Sequence, residues 1–182
     1  FNIGEKLIEI NYDKPIDFKL NLQGKHQIKN AQLAIETVKQ IIPEIKNKDI
    51  EFALKHLKFP GRQEVIDKFI LDSAHNPDAI KTLHNIKTDA IIFGCMKDKN
   101  YKEMIKLLPK ANVILTKADN ERSLNPEILA KELEECIVFN NVRKAIEYAY
   151  NNFEKILITG SCFIVSEARK EVYKKYIKYL KL

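Results

Sequence analysis

Glycine is scarce in this sequence, and its spacing excludes the common phosphate-binding loops. The 182 residues contain five widely separated glycines: Gly4, Gly24, Gly61, Gly94 and Gly160. Neither GxGxxG nor GxxxxGK followed by Ser or Thr can be built from them. A dinucleotide-binding loop or a P-loop formed by this chain alone is therefore excluded.

Cysteine and histidine are too few and too dispersed for a metal site or a disulfide framework. The cysteines, Cys95, Cys136 and Cys162, are odd in number and form no CxxC pair, and the four histidines show no HExxH spacing. This pattern is typical of reduced thiols in a cytosol, so we expect a cytoplasmic protein. We expect no metal held by this chain alone.

Long hydrophobic runs are also missing. No window approaches the roughly 18–20 uninterrupted apolar residues of a membrane helix. The first residues, FNIGE, lack the basic start and apolar core of a signal peptide. Because the first residue is not Met, we expect a piece of a longer chain. A composition of 45% hydrophobic and 31% charged residues suits a globular protein with a sizeable core.

The net charge of +6 raises the question of a polyanionic partner. Lysines spread along helices usually form a solvated face. No basic run is interleaved with aromatic residues, as a stacking platform for nucleic acid requires. An anionic small molecule suits the charge equally well. We therefore predict neither a nucleic-acid partner nor a membrane partner.

The first part of the chain predicts a small α+β segment. Residues 7–22 contain the β-like runs LIEINY and IDFKLNL, and the alternation of Phe18, Leu20 and Leu22 is that of a half-buried strand. Apolar residues at helical spacing predict a helix over 31–42, ended by Pro43, and a second helix around 50–57. The FPGR stretch at 59–62 breaks the pattern, so we place a domain boundary there.

From residue 64 the pattern changes to apolar strands that alternate with helices. The predicted strands are 69–71, 90–93, 113–116, 137–139 and 156–159. Strands that are apolar throughout predict a doubly wound α/β domain, with a mostly parallel sheet and helices on both faces. Ligands bind such sheets outside the carboxyl ends of the strands.

One strand end, LDSAHNPD at 71–78, combines Asp72 and His75 with Asn76-Pro77. Asn-Pro is a common helix start, because Asn caps free amides and Pro fits the first turn. Asn125-Pro126 repeats this pattern with nothing chemical before it. Asn-Pro alone therefore indicates only a cap, and Asp72 and His75 make the first instance a candidate site.

Ser161 and Arg62 are further candidates, each with a structural alternative. Thr159-Gly160-Ser161 joins a strand to a helix, so Ser161 either caps that helix or helps its free amides to bind an anion. No GxSxG elbow surrounds Ser161, which argues against a nucleophile. Arg62 is either a surface charge or a phosphate clamp.

Taken in order, several motifs resemble one family, folylpolyglutamate synthase/dihydrofolate synthase of the Mur ligase superfamily. The resemblance rests on GKHQIKNAQLAI (24–35), FPGRQEVI (59–66), LDSAHNPDA (71–79), FGCMKDKN (93–100) and LITGSCFIVSE (157–167). It covers nearly the whole chain but only the later part of the family's sequence. Two positions depart from the family: Ser73 stands where Gly is usual, and Asn100 where Asp is usual.

The resemblance implies an ATP-dependent amide ligase that adds L-glutamate to dihydropteroate or a reduced folate through an acyl phosphate. Residues 1–58 would be the tail of the central ATPase domain, and 60–182 the C-terminal ligase domain. The upstream domain of the same parent chain would supply the P-loop and the Mg²⁺ ligands.

The same resemblance implies roles for individual side chains. Asn30, Arg62 and Asp72 would contact ATP at the adenine, the phosphates and the ribose. His75 and Ser161 would hold glutamate, with added charge from Lys97 or Lys99. No residue of this chain is implied as a catalytic group.

Two other functions remain open at the level of sequence. The first is a free-standing α/β module that binds a nucleotide or an amino acid without catalysis. The second is a nucleic-acid-binding domain, suggested only by the basic charge; salt-dependent retention on DNA would favour it.

The 182 residues alone are expected to be inactive as a ligase, because no arrangement of their glycines can cradle a triphosphate. The measurement is phosphate release from ATP in the presence of glutamate, with and without a folate acceptor. Release that depends on both substrates would contradict this expectation.

Overall fold

The computed structural model describes residues 2–3, 6–7, 18–22 and 24–176. The chain divides into two compact units, Phe1–Phe59 and Pro60–Leu182. The described elements of the first unit are β1 (Asn2–Ile3), β2 (Lys6–Leu7), α1 (Lys25–Ile41) and α2 (Asn47–His56). Strands β1 and β2 pair antiparallel.

The two helices of the first unit form where apolar residues recur at helical spacing. Ala31 and Ile35 of α1 and Ile50 and Leu54 of α2 form a small core. Helix α1 begins at Lys25, six positions before the predicted start at residue 31. Its first turns carry few buried apolar side chains (Ile28 is exposed), so periodicity alone does not detect them.

The predicted strand through Phe18, Leu20 and Leu22 is wrong for the described residues, because 18–22 form no strand. Phe18 and Leu20 instead pack as partly buried side chains against the core of α1 and α2. The Asn21 N–H donates to the Leu54 carbonyl at 3.0 Å. The alternation therefore reflects one-sided burial against helices. The remaining residues of the two predicted β-like runs, 8–12 and 16–17, lie outside the described residues.

The second unit alternates strands and helices along the chain. Its strands are β3 (Glu64–Ile66), β4 (Phe69–Leu71), β5 (Ala90–Phe93), β6 (Asn112–Leu115), β7 (Ile137–Val138) and β8 (Ile156–Thr159). Its helices are α3 (Pro77–Lys81), α4 (Tyr101–Lys106), α5 (Pro126–Ala130), α6 (Val142–Asn152) and α7 (Cys162–Tyr176). All five predicted strands are present, with ends shifted by one residue in β6 and β7.

The six strands form one sheet in the order β3-β4-β8-β5-β6-β7. Every pair is parallel except β3–β4, which is antiparallel. The last strand in sequence, β8, lies between β4 and β5 at the centre of the sheet. This arrangement confirms the predicted doubly wound, mostly parallel α/β fold.

Both faces of the sheet are covered, because successive side chains of a strand point to opposite faces. On one face, Ile92 and Ile158 pack in a cluster with buried residues of α6 and α7, including Ile146 and Val165. On the other face the neighbouring Ile91, Phe93 and Leu157 pack with residues that follow β4, β5 and β6, including Ile80, Met104 and Leu129. The two cores explain why these strands are apolar at every position.

Strand β3 was not predicted. It pairs with β4 across the two-residue turn Asp67-Lys68, and Asp67 adopts a left-handed conformation (φ 53°). Of its three residues only Ile66 is buried, and Val65 is 70% exposed. The turn lacks the Asn-Gly or Asp-Gly pair that marks most two-residue hairpins, so the sequence carried little signal for it.

None of the helices in the described part of the chain combines the length and the apolar composition that a membrane span requires.

Gly94 and Gly160 allow the ends of the central strands to approach closely. A Cβ at Gly94 would overlap the Thr116 carbonyl oxygen and lie 2.9 Å from Ile164 Cδ1. A Cβ at Gly160 would lie 2.5 Å from the Gly94 carbonyl oxygen, and Gly160 has φ 104°. Only glycine fits these two positions without displacing backbone.

Gly94→Ala is therefore expected to lower the free energy of unfolding by about 2–4 kcal/mol, since the clash is with backbone in a packed core. Urea denaturation measures the change. Ser166→Ala, at an exposed position of α7, is the control and should change stability by less than about 0.5 kcal/mol. Equal stability of the two variants would contradict the close approach of β5 and β6.

Candidate functional site

The candidate site lies at the carboxyl ends of β4 and β8. These strands are parallel neighbours, with Leu71 opposite Ile158, so the loops that follow them begin at the same edge. The Gly160 N–H donates to the Ala74 carbonyl at 2.9 Å. The structure therefore brings the Asp72–His75 loop and Ser161 together, although they lie far apart in sequence.

Asp72 links two segments of this edge. It is 4% exposed; its Oδ1 accepts from the Ala74 N–H at 2.9 Å, and its Oδ2 accepts from the Gln63 N–H at 3.1 Å. Both carboxylate oxygens thus hold backbone amides of the surrounding loops. The contact of Asp72 with ATP stays a prediction.

Arg62 lies in a turn that the backbone holds tightly. Gly61 is buried, has φ 69°, and a Cβ there would lie 2.7 Å from Ser73 Oγ. Its carbonyl accepts from the Ser73 N–H at 2.8 Å. Arg62 itself is half-buried, and Gln63 after it is left-handed (φ 48°). The Pro-Gly pair is thus a close-packed turn beside the 72–76 loop.

Glu64, Arg169 and Tyr173 form a cluster beside this turn, and the sequence alone does not indicate it. Glu64 Oε2 accepts from the Gly61 N–H at 3.0 Å, and both Glu64 oxygens lie within 3.0 Å of Arg169 Nε. The Arg169 guanidinium also lies 4.5 Å from the centre of the Tyr173 ring. The residues are distant in sequence, and a helical Arg reads as a solvated charge, so no sequence signal pointed to them.

His75 and Asn76 have separable local roles. His75 Nδ1 lies 2.9 Å from the Ser73 carbonyl, so a proton on Nδ1 would be donated there, and Nε2 would remain to meet a ligand. Asn76 Oδ1 accepts from the Ala79 N–H at 2.8 Å and caps α3. Asn125 caps α5 in the same way, through the Glu127 N–H. The capping interpretation of both Asn-Pro pairs is confirmed.

Ser161 precedes α7 and is 2% exposed. Its Oγ accepts from the Phe163 N–H at 3.1 Å, so the hydroxyl caps the helix. The capping role and an anion-binding role are compatible, because the hydroxyl still has a proton to donate. Whether Ser161 contacts glutamate stays a prediction.

Lys97 follows β5, the strand beside β8, but its contacts are on the side away from β4. Its Nζ donates to the Glu121 carbonyl at 2.7 Å, and its N–H donates to the Arg122 carbonyl. It lines a cleft of about 740 Å³ that also includes Lys117, Asn125 and Glu167. Lys99 forms an ion pair with Asp98. The described contacts of Lys97 therefore do not include His75 or Ser161.

Asn30 lies on α1 in the first unit, where it is exposed and donates from Nδ2 to Gln27 Oε1 at 3.0 Å. Among the described residues, no group of three His, Cys, Asp or Glu side chains could hold a metal ion. Asn30 as an adenine contact stays a prediction.

Comparison with known proteins identifies the protein family to which this chain belongs. Residues 61–162 match the family described as "Mur ligase, glutamate ligase domain". This match spans more than half of the chain, and the fold agrees with it. The chain belongs to the Mur ligase family, in its glutamate ligase domain.

Two curated relatives are similar to this chain over most of its length. The chain is 30% identical to a probable bifunctional folylpolyglutamate synthase/dihydropteroate synthase of Haloferax volcanii, covering 92% of this chain and 22% of that protein. It is 30% identical to the dihydrofolate synthase/folylpolyglutamate synthase of Bacillus subtilis, covering 86% and 41%. The chain thus spans less than half the length of these relatives, and its resemblance to their family is confirmed.

A solved structure agrees at the level of the fold. The folylpolyglutamate synthase of Mycobacterium tuberculosis, in a structure with ADP and AMPPCP, superposes with a TM-score of 0.76 at 24% identity. The match covers 86% of this chain and 42% of that one.

The Glu64 cluster predicts how stability depends on pH. Burial by itself raises the pKa of Glu64, but the hydrogen bonds from Arg169 and the Gly61 amide outweigh it, so the pKa lies below its ordinary value of 4.5. A carboxylate with a depressed pKa contributes stability above its unfolded pKa and loses that contribution as pH falls through the folded pKa.

Glu64→Gln should therefore lower the free energy of unfolding by about 1–2 kcal/mol at pH 7, with the difference from wild type shrinking below about pH 4. Urea denaturation across pH 3–7 measures this. Glu134→Gln, at an exposed position, should show no such trend. A difference that grows in acid would contradict the cluster.

Proposed function

We propose that this chain is the C-terminal part of an ATP-dependent ligase that adds L-glutamate to dihydropteroate, a reduced folate or both, and so extends a polyglutamate tail. The observation that carries the proposal is the meeting of the 72–76 loop, the Arg62 turn and the start of α7 at one sheet edge. The names of the relatives support the acceptor and the amino acid. The bound ADP and AMPPCP of the M. tuberculosis relative support ATP.

In this proposal residues 60–182 form the glutamate ligase domain and residues 1–58 are the tail of a central ATPase domain. The reaction phosphorylates a carboxylate of the acceptor, and the amino group of glutamate then displaces phosphate to form the amide. The upstream domain would hold the triphosphate and Mg²⁺. We assign no metal ligand to this chain, and we propose a cytoplasmic location.

The residues of this chain would bind and orient substrates. Arg62, on a turn with little freedom to move, would stabilise negative charge on the ATP phosphates. Asp72 would contact the ribose while it holds that turn, and Asn30 would contact the adenine.

Glutamate would bind at the neighbouring strand end. A carboxylate there can accept from free amides of α7 and from the Ser161 hydroxyl, since helix N-termini favour anions. His75 would present Nε2 to the same ligand, and Lys97 would add positive charge at the edge. Such fixed donors orient the amino group toward the activated carbon.

Two substitutions distinguish the residue proposed to bind ATP from the residue proposed to bind glutamate. In the ligase that carries this chain, Arg62→Ala should raise KM for ATP and His75→Ala should raise KM for glutamate. Each change should be roughly ten- to hundredfold, since a hydrogen bond to a charged group contributes about 1.5–3 kcal/mol. Steady-state kinetics with each substrate varied in turn make the measurement.

Matched controls come from the same chain. Arg143→Ala on α6 and His84→Ala after α3 remove the same side chains at exposed positions outside the site, so they should leave both KM values unchanged. If Arg62→Ala and His75→Ala behaved as these controls do, the site assignment would be wrong. Ligase activity that depends on an amino acid other than glutamate would overturn the substrate.

A further inference from the structure

The turn that carries Arg62 is anchored on both sides of that residue. On one side, the Gly61 N–H donates to Glu64 Oε2 at 3.0 Å. On the other, the Gln63 N–H donates to Asp72 Oδ2 at 3.1 Å. Two carboxylates therefore hold the backbone on either side of Arg62, in addition to the hydrogen bond from the Ser73 N–H to the Gly61 carbonyl.

Glu64 is itself positioned from α7. Both of its oxygens lie within 3.0 Å of Arg169 Nε, and its Oε1 lies 3.4 Å from the Tyr173 hydroxyl. Arg169 in turn lies over the Tyr173 ring. Helix α7 is held against the sheet by buried side chains, including Val165 and Ala168. A continuous series of contacts therefore connects the core of the domain, through Arg169 and Glu64, to the turn that carries Arg62.

We propose that Glu64 and Arg169 are positioning residues for ATP use: the ion pair holds the Gly61 amide and thereby aims Arg62 at the phosphates. The pair touches no substrate and acts through Arg62. The inference rests on the proposed role of Arg62.

The electrostatics agree with a pair that stays ionised. The pKa of Arg169 is raised, chiefly by its hydrogen bond to Glu64. The Glu64 side chain is 18% exposed and that of Arg169 is 36% exposed, so water screens this pair less than it does most surface pairs. A hydrogen bond from the Gly61 amide to a charged, held carboxylate is stronger than one to a mobile side chain.

The decisive experiment compares the effect of Arg169→Gln in two backgrounds of the ligase that carries this chain. In the wild-type background we expect KM for ATP to rise roughly five- to tenfold, less than for Arg62→Ala, with kcat and KM for glutamate changed much less. In the Arg62→Ala background we expect no further rise. A structural defect alone would lower activity by the same factor in both backgrounds.

Conservative variants, a matched control and thermal unfolding distinguish a specific loss of ATP binding from a loss of folding. Arg169→Lys retains the charge without the planar fork and should restore only part of the ATP affinity. Tyr173→Phe keeps the ring and should lie close to wild type. Arg143→Gln on α6, whose Nε contacts Glu147 at 3.4 Å, is the matched control for losing an ion-paired arginine. Thermal unfolding confirms that each variant is folded at the assay temperature.

Hydrogen exchange on the 182-residue chain measures directly whether the ion pair between Glu64 and Arg169 holds the Gly61 amide. Arg169→Gln should speed exchange at the Gly61 amide more than at the Ile92 amide in the core of the sheet.

The outcomes separate this inference from the function. Normal ATP use by Arg169→Gln, with impaired use by Arg62→Ala, overturns the inference alone. An additive loss in the double variant also overturns it, since Arg169 would then act independently of Arg62. Normal ATP use by Arg62→Ala overturns both the assigned role of Arg62 and this inference. Unchanged exchange at Gly61 shows that the ion pair does not hold the turn, which also overturns it.

Discussion

The parallel pairing of β4 with β8 is the interaction on which the site depends. These strands come from opposite ends of the second unit, and their register sets Leu71 beside Ile158. Had β8 paired one residue out of register, its side chains would have exchanged faces and both cores would have lost their complementarity. The buried apolar residues of β8 thus fix the level at which Ser161 emerges beside the 72–76 loop.

The ends of the central strands β8, β5 and β6 also approach one another closely. Gly94 and Gly160 leave no room for a side chain between β8, β5 and β6. Glycine in a sheet usually weakens it, because no side chain packs there and backbone entropy is lost. Here it allows loops from neighbouring strands to begin side by side. Gly94 and Gly160 therefore serve close backbone contacts in this unit.

The strands and the two Asn-Pro caps could be predicted because their causes are local. Burial on both faces makes a strand apolar at each position, and a cap needs only Asn beside the free amides. Strand β3 and the Glu64–Arg169 pair could not, since one depends on a left-handed Asp67 and the other on contacts between distant residues. Likewise, the motifs indicate Asp72 as a candidate site residue, but only the structure reveals that both its oxygens hold backbone amides. For Lys97, the sequence predicts the position after β5. It does not predict that the side chain turns toward the cleft and donates to the Glu121 carbonyl.

Helix α7 has a consequence for how this domain can vary. One end of the helix is capped by Ser161 at the sheet edge, and Arg169 further along meets Glu64. Each residue added to an α-helix rotates everything beyond it by about 100°, since a turn takes 3.6 residues. The insertion or deletion of one residue in α7 before Arg169 would therefore turn the guanidinium away from Glu64. The length of this stretch is thus more constrained than the identity of its exposed residues, whereas a change of length in the helix after Tyr173 would leave the contact between Arg169 and Glu64 in place.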